Sequence, residues 1–154
     1  MKKIFVLVTA CMLSACASLL QEPVCNVQKE PTVSKAELVA VIGFADASAV
    51  VTPENKEILR QVAEKAIAEN AKIVVYGHAS HRTLTKNILR RILINLKISN
   101  ERAINTAVVL ADNGVAFTDI NTIALFDSRP IKVEVDRAAE AANRRAEVYL
   151  YWLK

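Results

Sequence analysis

The sequence predicts an α+β domain, in which helices pack on one side of a mixed β-sheet. Short apolar, β-branched runs typical of strands alternate with longer stretches whose apolar residues recur at helical spacing. The last run, residues 145–152, alternates between apolar side chains and polar or aromatic ones, which is typical of a strand with one buried face. A chain of 154 residues is long enough for one such domain.

The first half of the domain is predicted to contain two strands with a helix between them. Residues 37–44 (ELVAVIGF) and 72–77 (KIVVYG) are apolar and β-branched, so we expect both to be strands. Between them, Thr52 is suited to the N-cap of a helix, with Pro53 at the first helical position and Glu54 near the positive end of the dipole. Apolar residues then follow at helical spacing: Ile58, Leu59, Val62, Ala63, Ala66 and Ile67.

The second half is predicted to add another helix and two more strands. Ser99 is the predicted N-cap of this helix, and Gly114 is its predicted C-terminal stop. Apolar residues lie along it at Ala103, Ala107, Val108 and Ala111. Residues 119–125 can form a third strand, and the alternating residues 145–152 form the last. The predicted order of elements is therefore βαβαββ.

The beginning of the chain has the features of a bacterial export signal that ends in a lipid-attachment cysteine. Two lysines follow Met1, and the apolar residues 4–12 are too few to span a bilayer as a helix. Residues 13–16 (LSAC) match the lipobox, in which the cysteine thiol takes a diacylglycerol. We therefore expect residues 1–15 to be removed as a signal peptide and Cys16 to carry the lipid.

The other two cysteines are compatible with an exported protein. Cys11 is the cysteine of a second possible lipobox, residues 8–11 (VTAC). Processing there would leave an apolar segment of only about seven residues, the lower limit for an export signal, so Cys16 is favoured. Cys25 remains as a lone thiol, which in an oxidising compartment either stays free or bridges two chains. An ordinary secretory signal is the alternative interpretation of the whole segment.

Residues 16–35 are predicted to form a flexible tether, because their polar residues and prolines show no sustained period. Ala17 stands where an aspartate would retain such a lipoprotein in the inner membrane, so we expect the outer membrane, with the domain facing the periplasm. The formal charge of +4 falls to +2 when the two lysines leave with the signal peptide. This balance gives no argument for a nucleic-acid partner, and we expect none.

Four motifs follow one another along the predicted domain. They are FADAS running into TPE at 44–54, GHAS at 77–80, NLKISNERA at 95–103 and NRRAEV at 143–148. In this order, behind a lipobox, they resemble the OmpA-like peptidoglycan-binding domain family, of the peptidoglycan-associated lipoprotein type. The sequence is most similar to the branch that has Gly-His-Ala-Ser and a longer loop. We assign residues 36–154 to this domain.

The resemblance implies a domain that binds the diaminopimelate stem peptide of peptidoglycan without cutting it and without a cofactor. It assigns the ligand contacts to Ser80, Asn95, Arg102 and Arg144. Arg102 is expected on the first turn of its helix, where it would hold a ligand carboxylate beside free backbone N–H groups. The family's aspartate, the partner of the ligand amine, is Ser80 here. Because a hydroxyl carries no charge, we expect weaker binding of the amine.

The segment between Ser80 and Asn95 is longer than the usual family spacing and contains basic residues but no acid. Its apolar residues can form an amphipathic turn or short helix over the site: Leu84, Ile88, Leu89, Ile92 and Leu93. Two interpretations remain open. The segment is either a solvated basic face over a small satellite core, or a lid or surface for an acidic partner.

No group of residues in the sequence points to an enzyme or to a metal site. His78 and His81 have a ligand-like spacing, but no Cys, Asp or Glu lies near them in sequence. A structural role is therefore favoured for His78, as a hydrogen-bonding residue within the loop that follows the strand. The resemblance thus leaves two functions. One is a tether between outer membrane and cell wall, and the other is a docking subunit that contacts other envelope proteins and has altered or lost wall binding.

Overall fold

The computed structural model describes residues 32–83 and 85–153. The predicted signal peptide, Cys16 and most of the predicted tether lie outside these residues. The described part contains four strands, β1 (Val33–Gly43), β2 (Lys72–Gly77), β3 (Ile120–Ala124) and β4 (Arg145–Leu153). They form one sheet in the order β1-β4-β2-β3, in which only the β2–β3 pair is parallel. The predicted mixed sheet is confirmed.

Strand β1 begins earlier than predicted, inside the last part of the expected tether. Val33 pairs with Leu153 at the far end of β4. Residues 33–35 are therefore recruited into the sheet by a long neighbouring strand, although their own sequence has no strand-like pattern.

Three helices join these strands: α1 (Pro53–Ala68), α2 (Ile88–Asp112) and the short α3 (Arg137–Asn143). The predicted start of α1 is confirmed, because the Thr52 side chain accepts a hydrogen bond from the N–H of Asn55. Helix α3 was not expected from the sequence; the side chain of Asp136 caps it by accepting from the N–H of Ala139. No helix in the described ranges has both the length and the apolarity to cross a membrane.

The predicted start of α2 at Ser99 is wrong. The helix begins at Ile88, and Asn87 is its N-cap, since its side chain accepts from the N–H of Arg90. Ser99 is buried in the middle of the helix, where its Oγ donates to the carbonyl oxygen of Leu96. Helical periodicity continues upstream of Ser99, and no proline or glycine interrupts it.

The two long helices pack on one face of the sheet, as predicted. Alternate residues of the strands point into this layer and are buried, including Ile42, Ile73, Val75, Val148 and Leu150. The helices contribute Leu59, Val62, Ala63 and Ala66 from α1, and Ala103 and Leu110 from α2. Removing each large apolar side chain from water stabilises the fold by about 1.5–3 kcal/mol.

Candidate functional site

A pocket of about 430 Å³ lies where the end of β2 meets the middle of α2. All four residues predicted to contact a ligand line it: Ser80, Asn95, Arg102 and Arg144. They come from the loop after β2, from α2 and, in the case of Arg144, from the residue between α3 and β4. The fold therefore brings together side chains that are separated by up to 64 residues in sequence.

Gly77 sets the close approach that builds this pocket. A Cβ at this position would lie 1.9 Å from the carbonyl oxygen of Ser99, so only glycine fits between β2 and α2. The loop after Gly77 is then fixed by its backbone. The N–H of His78 donates to the carbonyl of Arg145, and the N–H of Ala79 donates to the carbonyl of Phe126. These contacts fix the backbone that leads to Ser80, which lines the pocket.

Arg102 connects two loops around the pocket. Its Nε donates to the carbonyl oxygen of Ser48 at 3.0 Å, and its Nη1 donates to that of His78 at 2.9 Å. The residue is 1% exposed, and its guanidinium lies over the ring of Phe44. Its Nη2 has no hydrogen-bond partner among the residues described, which leaves it for a ligand.

The expected position of Arg102 on a first helical turn is wrong, because α2 begins at Ile88. The backbone N–H groups near Ser99 belong to the helix interior and cannot add anion affinity. Burial lowers the pKa of Arg102 to about 10, and the charge of Arg144 acts in the same direction. The guanidinium of Arg102 therefore stays protonated at neutral pH. The positive charge of the pocket comes from arginine side chains and not from the N-terminus of a helix.

Arg144 supplies a second guanidinium at the same pocket. Its Nε donates to the carbonyl oxygen of Phe44 at 3.4 Å, and its Nη1 lies 3.9 Å from Oδ1 of Asp46. Two guanidiniums at one pocket form a favourable site for an anion, and guanidinium–carboxylate contacts are among the strongest in proteins.

Asn95 is buried at the same pocket. Its Oδ1 accepts from the hydroxyl of Thr83 at 2.8 Å, whereas its Nδ2 has no partner among the described residues. A buried donor left unpaired costs about 1–3 kcal/mol. A carbonyl or carboxylate oxygen of a ligand would satisfy this group.

Ser80 contacts a carboxylate that was not expected from the sequence. Its Oγ donates to Oε2 of Glu134 at 2.9 Å and accepts from the N–H of Arg82 at 3.2 Å. Glu134 lies in the connection between β3 and α3, outside the four motifs. The only sequence signal for it is a single acid within the alternating segment 131–135 (IKVEV).

The segment 81–94 is not a separate loop, and only part of its basic face is paired, since Lys86 and Arg90 are exposed and form no ion pair among the described residues. Residues from Ile88 onward are the first turns of α2, and Ile88 and Leu89 are 67% and 66% exposed, so they cover no satellite core. Acids from a distant part of the chain pair with its other basic side chains. Arg82 pairs with Glu140, and His81 lies 2.8 Å from Oδ2 of Asp127.

The two histidines do not share a site. His78 is 2% exposed, and its Nε2 lies 3.7 Å from Oε1 of Glu147, whereas the side chain of His81 is largely exposed. Burial lowers the pKa of His78 to about 4, with the charge of Arg145 acting in the same direction, so the ring is neutral. Its ring nitrogens make no hydrogen bond within the described part of the chain, contrary to the expected loop hydrogen bond. That part contains no group of three metal-ligating side chains.

The mixed sheet and its two long helices define a small α+β domain, and the arginines that line its pocket have the chemistry to accept an anionic group. A comparison with protein families matches the OmpA family over residues 43–146. The chain belongs to the OmpA family, as its four motifs predicted.

Individual relatives agree with this assignment. The chain is 32% identical over 108 residues to the peptidoglycan-binding protein ArfA of Mycobacterium bovis, and the same holds for ArfA of Mycobacterium tuberculosis. The match covers 70% of this chain but only 31% of the length of ArfA.

Solved structures show the same fold. The peptidoglycan-associated lipoprotein from Burkholderia pseudomallei has a TM-score of 0.64 at 23% identity, covering 73% of this chain and 89% of that one. The cell wall anchor of the T6SS from Pseudomonas aeruginosa has a TM-score of 0.59 at 27% identity, covering 72% and 78%.

Proposed function

We propose that this chain is an outer-membrane lipoprotein that binds peptidoglycan non-covalently and so tethers the outer membrane to the cell wall. The observation that carries the proposal is the convergence of Ser80, Asn95, Arg102 and Arg144 on one pocket. These are the four positions that the family motifs assign to the ligand. The similarity to ArfA, which is named as a peptidoglycan-binding protein, supports the same ligand.

The pocket suits the chemistry of the diaminopimelate stem peptide, which presents carboxylates and an amine at a fixed separation. Nη2 of Arg102 and the guanidinium of Arg144 would take a carboxylate. Nδ2 of Asn95 would donate to a ligand oxygen, and the Ser80 side of the pocket would face the amine. Each of these groups binds and orients, and the proposed activity is binding without bond cleavage.

The membrane anchor rests on the lipobox at residues 13–16. In this proposal residues 1–15 are removed, Cys16 carries the acyl chains, and the residues between Cys16 and β1 span the distance to the domain. Each buried methylene adds about 0.8 kcal/mol, so several acyl chains give an essentially permanent anchor. The domain would then face the periplasm.

The anchor is tested by labelling cells with a radioactive fatty acid. The wild-type protein should take up label, and Cys16→Ser should abolish it and leave an unlipidated form. A Cys11→Ser variant is the matched control and should label like the wild type. Undiminished label in Cys16→Ser would reject Cys16 as the attachment site.

A second candidate function is favoured by one comparison. The 27% identity to the T6SS cell wall anchor suggests a docking subunit of a larger envelope complex, in which other envelope proteins are the partners. The uncharged Ser80 would then reflect altered or lost wall binding.

Pull-down of the detergent-solubilised full-length protein with purified peptidoglycan sacculi separates these functions. Binding to sacculi supports the tether. Absence of sacculus binding, together with specific envelope proteins that co-purify, supports the docking subunit and rejects the tether. Release of soluble muropeptides would reject both, since it would reveal an enzyme.

A further inference from the structure

The carboxylate of Glu134 stands directly behind Ser80. Its Oε2 accepts from Ser80 Oγ at 2.9 Å and from the N–H of Arg82 at 3.1 Å. Its Oε1 accepts from the N–H of His81 at 2.9 Å and from Nδ2 of Asn143 at 2.9 Å. Four donors therefore hold the carboxylate in one orientation at the edge of the ligand pocket.

None of these four donors is charged. They are two backbone N–H groups, one hydroxyl and one side-chain amide. The side chain of Arg82, whose backbone N–H is one of the four donors, is instead paired with Glu140. Within the described residues Glu134 has no ion-pair partner, so its negative charge is oriented but not neutralised.

The ionised state of Glu134 is secured by the same contacts. Burial alone would raise its pKa, but the hydrogen bonds from Asn143, His81, Ser80 and Arg82 outweigh burial and hold the pKa below its usual value. The carboxylate is therefore charged at neutral pH.

We infer that Glu134, acting through Ser80, supplies the negative charge with which this site selects the amine of its ligand. The inference rests on the proposed peptidoglycan function and names the residue that replaces the charge missing at position 80. The hydroxyl of Ser80 donates its hydrogen bond to Glu134, so toward a ligand its oxygen can act only as an acceptor. An ammonium group donating to that oxygen lies in the field of the carboxylate behind it.

The two acids that line the pocket, Asp46 and Glu101, are less suited to this role. Asp46 is 91% exposed and lies near Arg144, on the carboxylate-binding side of the pocket. Glu101 lies 3.9 Å from Lys97, so a cation already offsets its charge. Glu134 does not line the pocket itself, but it contacts the lining residue Ser80 and combines a fixed orientation with a charge that no described ion pair offsets.

The test is titration of the full-length protein in detergent with a soluble diaminopimelate-containing muropeptide. A second ligand is the same muropeptide with its diaminopimelate amine acetylated. Glu134→Gln should bind the free-amine muropeptide about tenfold more weakly and leave affinity for the acetylated one within about twofold. Glu64→Gln removes one charge from the exposed face of α1 and should match the wild type with both ligands.

A rescue variant separates a charge effect from damage to the loop. Ser80→Asp alone places two carboxylates together and should bring no gain, because their repulsion raises the pKa of one of them. In the Glu134→Gln background the same change restores a single carboxylate and should return affinity for the free-amine muropeptide to within about threefold of wild type.

The outcomes distinguish the two proposals. Equal losses for both ligands in Glu134→Gln, or no rescue by Ser80→Asp, would overturn the role of Glu134 while leaving peptidoglycan binding intact. A wild-type protein that binds neither muropeptide nor sacculi would overturn the proposed function itself, and the role of Glu134 with it.

Discussion

Replacing Arg102 by lysine separates the binding role of the guanidinium from its structural role. The native side chain donates to the carbonyls of Ser48 and His78 through two different nitrogens. A lysine ammonium keeps the charge but reaches at most one of these buried acceptors. Leaving the other unpaired costs about 1.5–3 kcal/mol, and loss of the guanidinium over Phe44 adds about 0.5–2 kcal/mol.

The expected destabilisation is therefore about 2–5 kcal/mol, which a domain with a stability of about 5–15 kcal/mol survives at low temperature. Binding should fall at least about tenfold, because the remaining ammonium is held by a backbone carbonyl and cannot also contact a ligand carboxylate through two N–H groups. Urea denaturation measures the first quantity, and calorimetric titration with muropeptide at 10 °C measures the second.

Arg90→Lys is the matched control. Arg90 is exposed on the first turns of α2 and does not line the pocket, so neither stability nor affinity should change. If Arg102→Lys lost stability but bound muropeptide like the wild type, the guanidinium would be a structural link only. If Arg90→Lys lost as much affinity as Arg102→Lys, a general charge effect would replace the proposed geometry.

Two further predictions concern the fold that holds the pocket. Gly77→Ala should destabilise the domain by at least about 3 kcal/mol in urea denaturation, because the added Cβ would overlap the backbone of α2. Gly43→Ala is the control: a Cβ there meets open space, so stability should change by less than about 1 kcal/mol. The pKa of His78 is about 4 in the folded state and about 6.5 in an unfolded chain. As pH falls from about 6.5 to 4, only the unfolded state takes up a proton at this residue. The free energy of unfolding should therefore drop by up to about 3 kcal/mol over this range. His78→Gln should flatten this dependence and His81→Gln should retain it, and equal pH profiles for both variants would refute the assignment to His78.

Local motifs allowed the pocket to be predicted from sequence. Three of the four motifs supply the predicted pocket residues: Ser80 comes from GHAS, Asn95 and Arg102 come from NLKISNERA, and Arg144 comes from NRRAEV. The strands and α1 were predictable for the same reason, since period and capping are local properties.

The missed features depend on tertiary structure. Ser99 resembles a helix N-cap locally, but its hydroxyl bonds within the helix and to the N–H of Phe126, and the helix start moved to Asn87. Glu134 contacts Ser80 across 54 residues of sequence, so no local pattern could reveal the pair. The segment after Ser80 looks more basic in sequence than it is in the structure. The acids that pair with it, Asp127 and Glu140, lie far away in sequence and are brought to it only by the fold.

The pocket has a separation of charge that matches a zwitterionic ligand. The guanidiniums of Arg102 and Arg144 line the pocket, and the carboxylate of Glu134, which forms no ion pair among the described residues, lies behind the lining residue Ser80. Arg102 and Glu134 are both held by several hydrogen bonds before any ligand arrives, so little side-chain entropy is lost on binding. Because Arg102 also joins the loops at Ser48 and His78, the groups that would bind the ligand are the ones that fix the shape of the site. On the proposed function, such a site would discriminate by geometry as well as by charge, and the carboxylate behind Ser80 would let a domain without the family's aspartate recognise an amine.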